Sequence, residues 1–285
     1  MADPTTTNYG FTMPTVGADP DTWGTLLNTN WSNLDTYLLS AAFGAHGQCR
    51  LNYVSATQIA LNQANGSGLI INNVLQSVPA AGVTLANTGL TASTLYYIYA
   101  QMVSGSMALA ASTTAYTVQS NGVATKTGDT TQTLVGMVYM NASSQFVDSA
   151  VSRTVASYFN RKTRALTTNQ TNSSFTATSL TACGPTLTLL SWADEACYAE
   201  LSISGQPNNT NNLECNFSID GTNNTPYNPT QGSAASTGTW CAQSYGNAFA
   251  LSEGKHALIP LAMWSGAPSG SSPVNLAVFY ATTRI

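Results

Sequence analysis

Apolar side chains recur at Leu27, Trp31, Leu34, Leu38 and Ala41, a 4,3,4,3 spacing that lines up along one stripe of an α-helix and matches a coiled-coil seam. Trp23, Leu26, Tyr37 and Phe43 widen the stripe, and Gly44 and Gly47 are expected to end it. Asp19 is placed to cap this helix, and Pro20 suits its first turn. Asp19 and Asp21 sit where the helix dipole favours negative charge. The pattern therefore predicts a helix over 21–47, about 35 Å long at the usual rise per residue. Residues 1–20, punctuated by Gly10, Pro14 and Gly17, read as an extended arm. The helix either lies on its own domain's core or covers its tryptophan-bearing stripe with identical partners or a preformed groove.

From residue 48 the period changes to two. Cys49–Val54 and Thr57–Leu61 alternate apolar and polar as half-buried strands do, and Asn65-Gly66 signals a hairpin before Leu69–Val74. Thr94–Val103, apolar on both faces, is expected to be a central strand, with Met107–Leu109 as a short partner. Thr133–Met140 reads as a second buried strand. Residues 146–160 break the pattern and are expected to form a short helical or extended neck. A second set of strands follows: 185–190, 196–203, 213–219, 256–264 and 274–280. Short strands without intervening helices imply a mainly β fold of antiparallel sheets rather than βαβ units. The expected division is an arm (1–20), a helix (21–47), a β-sandwich or barrel module with its neck (48–164) and a distal β domain (165–285). The wide last strand makes that distal domain similar to trimeric jelly-roll heads of the complement C1q and tumour-necrosis-factor type.

Composition changes the picture in one respect. Charged residues make up 7% of the 285, against ~25% in an ordinary soluble domain. Solubility must then rest on hydroxyls and amides, as in extracellular fibres. A formal charge of −4 argues against a general nucleic-acid binder. Arg153, Arg161, Lys162 and Arg164 form a cluster that reads either as a docking patch for an acidic neighbour or as a solvated helix end. No membrane span or signal peptide is expected. Five cysteines show no metal-ligand spacing. One or two disulfides among the last four are compatible with an extracellular particle, while Cys49 is expected to be a buried free thiol.

Catalytic chemistry is sparse. The two histidines, His46 and His256, are far apart in sequence and are expected in a turn and on a strand edge. No nucleophile elbow, P-loop or dinucleotide fingerprint appears. Asp194-Glu195 and Glu200 are candidate glycosidase carboxylates, but neighbours on a strand point to opposite faces, so a turn pair is the favoured reading. No catalytic residue, metal site or cofactor is expected. Tyr227, Trp240, Tyr245 and Trp264, set among Asn/Ser/Gly loops, are the candidate receptor contacts, because such rings stack on sugars.

Tyr9-Gly-Phe-Thr-Met-Pro-Thr-Val-Gly17, Asp21-Thr-Trp-Gly24, Leu27-Asn28, Asn30-Trp31 and Leu34-Asp35 together resemble the N-terminal segment of bacteriophage tail-fibre and related virion proteins. Arg50-Leu51, Val83-Thr-Leu85, Gly89-Leu-Thr91, Leu95-Tyr-Tyr97, Leu134–Met137 and Phe146–Asn160 resemble a module of phage and prophage structural proteins. The resemblance covers about the first 165 residues. It implies a non-enzymatic virion component on the particle surface. Tyr9, Phe11, Pro14, Val16 and Trp23 would attach it to other virion proteins. Leu27, Trp31, Leu34 and Leu38 would form the homotrimer interface. The distal domain would meet a host cell-surface glycan or protein, with neither nucleic acid nor membrane insertion involved. A capsid head fibre or decoration protein is the alternative, and a glycan depolymerase a third reading. The sequence leaves open tail against head, and with it the host, receptor and docking partner.

Overall fold

The computed structural model describes residues 3–6, 11–15, 21–172, 174–206, 211–223, 230–233, 240–267 and 272–285, with the side chains of 36–43, 172 and 230–233 outside that description. The chain is mainly β, with one helix and several antiparallel sheets.

Helix α1 (Trp23–Gly44) starts later than the sequence implies. The Thr22 carbonyl accepts from Leu26 N–H at 3.1 Å, so Thr22 stands at the cap and no acidic residue lies in the first turn. Asp19 and Pro20 lie outside the described residues. After Gly44 the chain turns through Gly47, where φ is +81° and a Cβ would meet the Phe159 ring at 2.5 Å. Only glycine fits both demands.

The first β unit comprises β1 (Cys49–Ser55), β2 (Gln58–Gln63), β3 (Gly68–Ile71), β4 (Val74–Ser77), β5 (Val83–Ala86), β6 (Leu95–Val103), β7 (Ser106–Ser112), β8 (Tyr116–Val118), β9 (Ala124–Lys126) and β10 (Asp129–Tyr139). One sheet runs β1-β2-β5 and another β7-β6-β10-β9-β8. Leu51, Ile59, Leu61, Ile98, Leu109, Val135 and Val138 form the core between them. As expected, β6 is internal and β10 buried. Two expectations fail. Asn65-Gly66 joins strands that do not pair, since β2 bonds β1 and β5. The stretch 69–74 is not one strand but a hairpin, turned at Asn72 and Asn73, whose φ values of 51° and 60° fit a type I′ turn.

The neck is extended, not helical, and it joins the two units. β11 (Ser152–Arg153) pairs in parallel with β15 (Leu187–Ser191) of the second unit, while β12 (Val155–Ser157) pairs with β10 of the first. Three residues thus reach from one sheet system to the other.

The second unit adds β13 (Thr163–Asn172), β14 (Thr181–Ala182), β15, β16 (Ala196–Gly205), β17 (Asn212–Ile219), β18 (Thr222–Asn223), β19 (Thr230–Ser233), β20 (Cys241–Ala250), β21 (Gly254–Trp264) and β22 (Val274–Arg284). One sheet has the order β13-β22-β16-β20. The facing sheet is built on β15-β21-β17, with β18 and β19 both bonded to β17. Leu187, Leu201, Phe217, Leu258, Trp264 and Phe279 lie in the core between the sheets. Alternation is clearest in β16, whose side chains switch between buried and exposed along its length.

A third cluster fills the seam between the units. Tyr99, Leu134, Met137 and Ala156 from the first side meet Leu190, Trp192 and Ile285 from the second. Glu253 completes it by accepting from Tyr97 Oη at 2.8 Å and from Tyr116 Oη at 2.9 Å. Burial, then the bonded carboxylate, pushes both phenols well above their ordinary pKa.

Candidate functional site

The described arm segments double back rather than running away from the helix. Thr5 and Thr12 form an antiparallel bridge, Thr6 N–H bonds the Phe11 carbonyl at 2.9 Å, and Met13 N–H bonds the Pro4 carbonyl at 2.8 Å. Asn30 then fixes this pair to the helix. Its Oδ1 accepts from Thr12 N–H at 2.9 Å and its Nδ2 donates to the Thr12 carbonyl at 2.6 Å. One side-chain amide satisfies both polar groups of one backbone residue, as a strand neighbour would. Nothing in the hydrophobic pattern marks Asn30 for this role.

Behind that contact the helix presents large apolar side chains to solvent. Trp23 is 57% exposed, Leu27 40% and Trp31 61%, and four-residue spacing puts all three on one line. Leu34 is half-buried, and Leu38 lies among the undescribed side chains. Of the expected attachment residues, Phe11 is half-buried and Pro14 exposed, while Tyr9 and Val16 fall outside the described residues.

The four expected receptor contacts separate. Trp264 is fully buried, its Nε1 donating to the Phe175 carbonyl at 3.0 Å, so it is a core residue and not a contact. Tyr245 packs its ring on Phe217 at 5.5 Å and turns toward the core rather than outward. Trp240 is 49% exposed, and Tyr227 lies outside the described residues.

The basic cluster belongs to no helix end. It lines the seam: Arg153 pairs with Asp148, Arg164 lies 3.7 Å from the same carboxylate, and Arg161 reaches Asp194 at 2.7 Å and Glu195 at 2.9 Å. Arg161 also lies over the rings of Trp192 at 5.0 Å and Tyr158 at 5.5 Å. Asp194 and Glu195 occupy a turn, where both can face one guanidinium, a geometry unavailable to neighbours on a strand. The run of cations was visible in the sequence, but the partners of Arg161 lie 33 and 34 positions away.

His46 accepts from Ile70 N–H at its Nδ1, 3.0 Å away, and sits edge-on to Phe159. His256 is buried in β21, opposite Leu189 of β15 on one side and beside the turn at Asp220 on the other, where β17 has ended. Its ring nitrogens face Asp220 Oδ2 at 2.7 Å and the Ser252 carbonyl at 2.9 Å. All five cysteines are buried thiols outside any disulfide, including the four considered for disulfides. Burial pushes the Cys49, Cys183 and Cys197 thiols up to about 12. Among the described residues no group of three or more His, Cys, Asp or Glu is placed to hold a metal ion, and no helix is long and apolar enough to cross a membrane.

No known family and no curated protein matches the chain. Among solved structures it is similar to the insecticidal delta-endotoxin Cry8Ea1 of Bacillus thuringiensis, at 10% identity and a TM-score of 0.30, over 84% of this chain and 51% of that one. It is also similar to the enzymatically active domain of bacteriophage CBA120 tailspike protein 4, at 14% identity and a TM-score of 0.23, over 44% of this chain and 19% of that one. The chain thus spans about half the length of the endotoxin it matches.

Proposed function

We propose that this chain is a non-enzymatic structural component of a bacteriophage virion, a homotrimeric tail fibre or short spike that docks by its N-terminus and contacts the host through its C-terminal β unit. The observation that carries this reading is the exposed line of Trp23, Leu27 and Trp31 on a helix long enough to form a three-fold seam. Apolar surface of that size on a projecting helix is stabilised by removal from water, and identical neighbours remove it symmetrically. The arm folded on Asn30 is then part of the docking surface for another virion protein.

The strand order favours a jelly-roll for the second unit. Taken in chain order, β13, β15, β16, β17, β19, β20, β21 and β22 fall into two facing sheets in the palindromic sequence one-two-one-two-two-one-two-one. Such heads suit trimers, and threefold presentation turns shallow host contacts into firm adsorption.

Immunogold labelling of intact particles with an antibody to residues 165–285 tests the assignment. Label at the ends of tail appendages supports it, label over the capsid shell moves it to a head fibre or decoration role, and unlabelled particles contradict it. Release of reducing ends from host polysaccharide would overturn the non-enzymatic part.

A further inference from the structure

A cleft of about 800 Å³ opens at the seam between the two β units. Arg50, Arg161, Lys162 and Arg284 line it, against the two carboxylates of Asp194 and Glu195. The whole chain has only eight Lys and Arg. Half of its cations therefore surround one opening, in excess over the acids there.

These cations are not equally engaged. Arg161 is held by both carboxylates and by stacking, and is accounted for as a bond between the units. Arg284 is exposed and approaches Glu195 only to 3.7 Å. Lys162 is exposed and forms no ion pair with the described residues. Arg50 is 9% exposed, yet its Nε–H has no hydrogen-bond partner, and its Nη2 lies 3.5 Å from the Ile285 carbonyl. Burial first, then the Arg164 charge, lowers its pKa, with Asp148 opposing in part. That Nε–H has almost no accessible surface, so Arg50 offers the cleft its charge rather than a hydrogen bond. Ion pairing between the units explains Arg161, but not Lys162, and accounts only weakly for Arg284.

Amides complete the lining in a specific way. Asn52 Nδ2 donates to the Arg50 carbonyl and Asn62 Oδ1, Gln63 Nε2 to the Val78 carbonyl, and Asn65 Nδ2 to Asn160 Oδ1. Asn52 Nδ2 is fully committed to the protein, whereas Gln63 Nε2 and Asn65 Nδ2 each make one of their two bonds, so the lining amides can both donate to and accept from hydroxyls. Excess positive charge beside amides that can donate and accept fits a ligand that carries both anionic groups and many hydroxyls.

We propose that this cleft binds an acidic saccharide, a short run of sugar rings bearing carboxylate or phosphate groups. Lys162 and Arg284 take the charge, and the lining amides take the hydroxyls. As a receptor site it rests on the adhesion reading above; as a binding site it does not. The volume lies within the range of small-ligand pockets.

Titration calorimetry of the full chain with tetragalacturonate, glucose 6-phosphate and maltotetraose tests it. At least one acidic probe should bind saturably, at least about tenfold tighter than maltotetraose, with affinity falling as salt rises. The preferred probe distinguishes carboxylate from phosphate. Lys162→Glu and Arg284→Glu, both at exposed positions, should each weaken binding about tenfold with unchanged circular dichroism and molecular mass. Absence of binding to both acidic probes, equal binding of maltotetraose, or indifference to both substitutions would overturn the proposal. Acidic-probe binding by a protein that labels no particle would leave the cleft standing and remove the virion reading.

Discussion

The Trp192 indole Nε1 donates to the Ser157 carbonyl oxygen at 3.0 Å, and this buried bond crosses from the second β unit to the last strand of the first. The same ring sits edge-on to Tyr158 at 5.2 Å and under Arg161 at 5.0 Å. Trp192 therefore supplies apolar area, a hydrogen bond and a cation site at one point of the seam. Trp192→Phe keeps most of the area and removes the bond, and should cost about 1–3 kcal/mol because the Ser157 carbonyl loses its partner. Trp192→Ala should cost about 3–5 kcal/mol. Urea unfolding followed by circular dichroism checks both, and the Ala variant should separate the two units into distinct transitions.

Thiol chemistry gives a second expectation. With Cys49, Cys183 and Cys197 pushed up to about 12 and all five cysteines buried, the native thiolate fraction at pH 8 is on the order of 1 in 10,000. Ellman's reagent should label almost no thiol in the native protein and all five after denaturation, without prior reduction. Fewer than five in the denatured, unreduced protein would reveal a disulfide.

His46 predicts an acid-sensitive junction between the helix and the first β unit. Burial lowers its pKa from 6.5, and its Nδ1 must stay unprotonated to accept from Ile70 N–H. The unfolded chain thus takes up the proton first as pH falls below 6.5. Stability should decline from there down to the lowered folded pKa and show no further His46 contribution below it. His46→Asn, which keeps an acceptor without a titration, should remove this part of the slope. Melting temperatures of both proteins between pH 7.5 and 5 give the difference.

The helix seam makes a prediction of its own. Leu34→Asp places a carboxylate on the stripe and, in the trimer proposed above, three carboxylates in one layer. That layer should not form, so light scattering should find monomers or aggregates. An unchanged trimer mass would show that the seam runs elsewhere.

What could be read from the sequence divides by the range of the interactions involved. β6 and β10 were legible because an apolar run both ways specifies a covered strand, whatever covers it. The helix over Trp23–Gly44 was legible because its apolar positions repeat with the helical period. Its start was not, because Asp19, Asp21 and Thr22 are all competent caps and only backbone bonding selects Thr22. Trp264 proved to be core, which its sequence neighbours do not reveal, because an aromatic beside polar loop residues looks alike whether its ring turns inward or outward. The Arg161 site depended on a turn at 194–195 and a stack on Trp192, pairings that no local pattern encodes. Asn72-Asn73 was available in the sequence as a turn dipeptide, but the apolar residues on either side hid it.

The mass of the intact chain in solution tests the proposed trimer most directly. Size-exclusion chromatography with light scattering at micromolar concentration should give three times the 29.8 kDa of one chain. A species of one chain mass, with Trp23 and Trp31 fluorescing as solvent-exposed indoles, would contradict it.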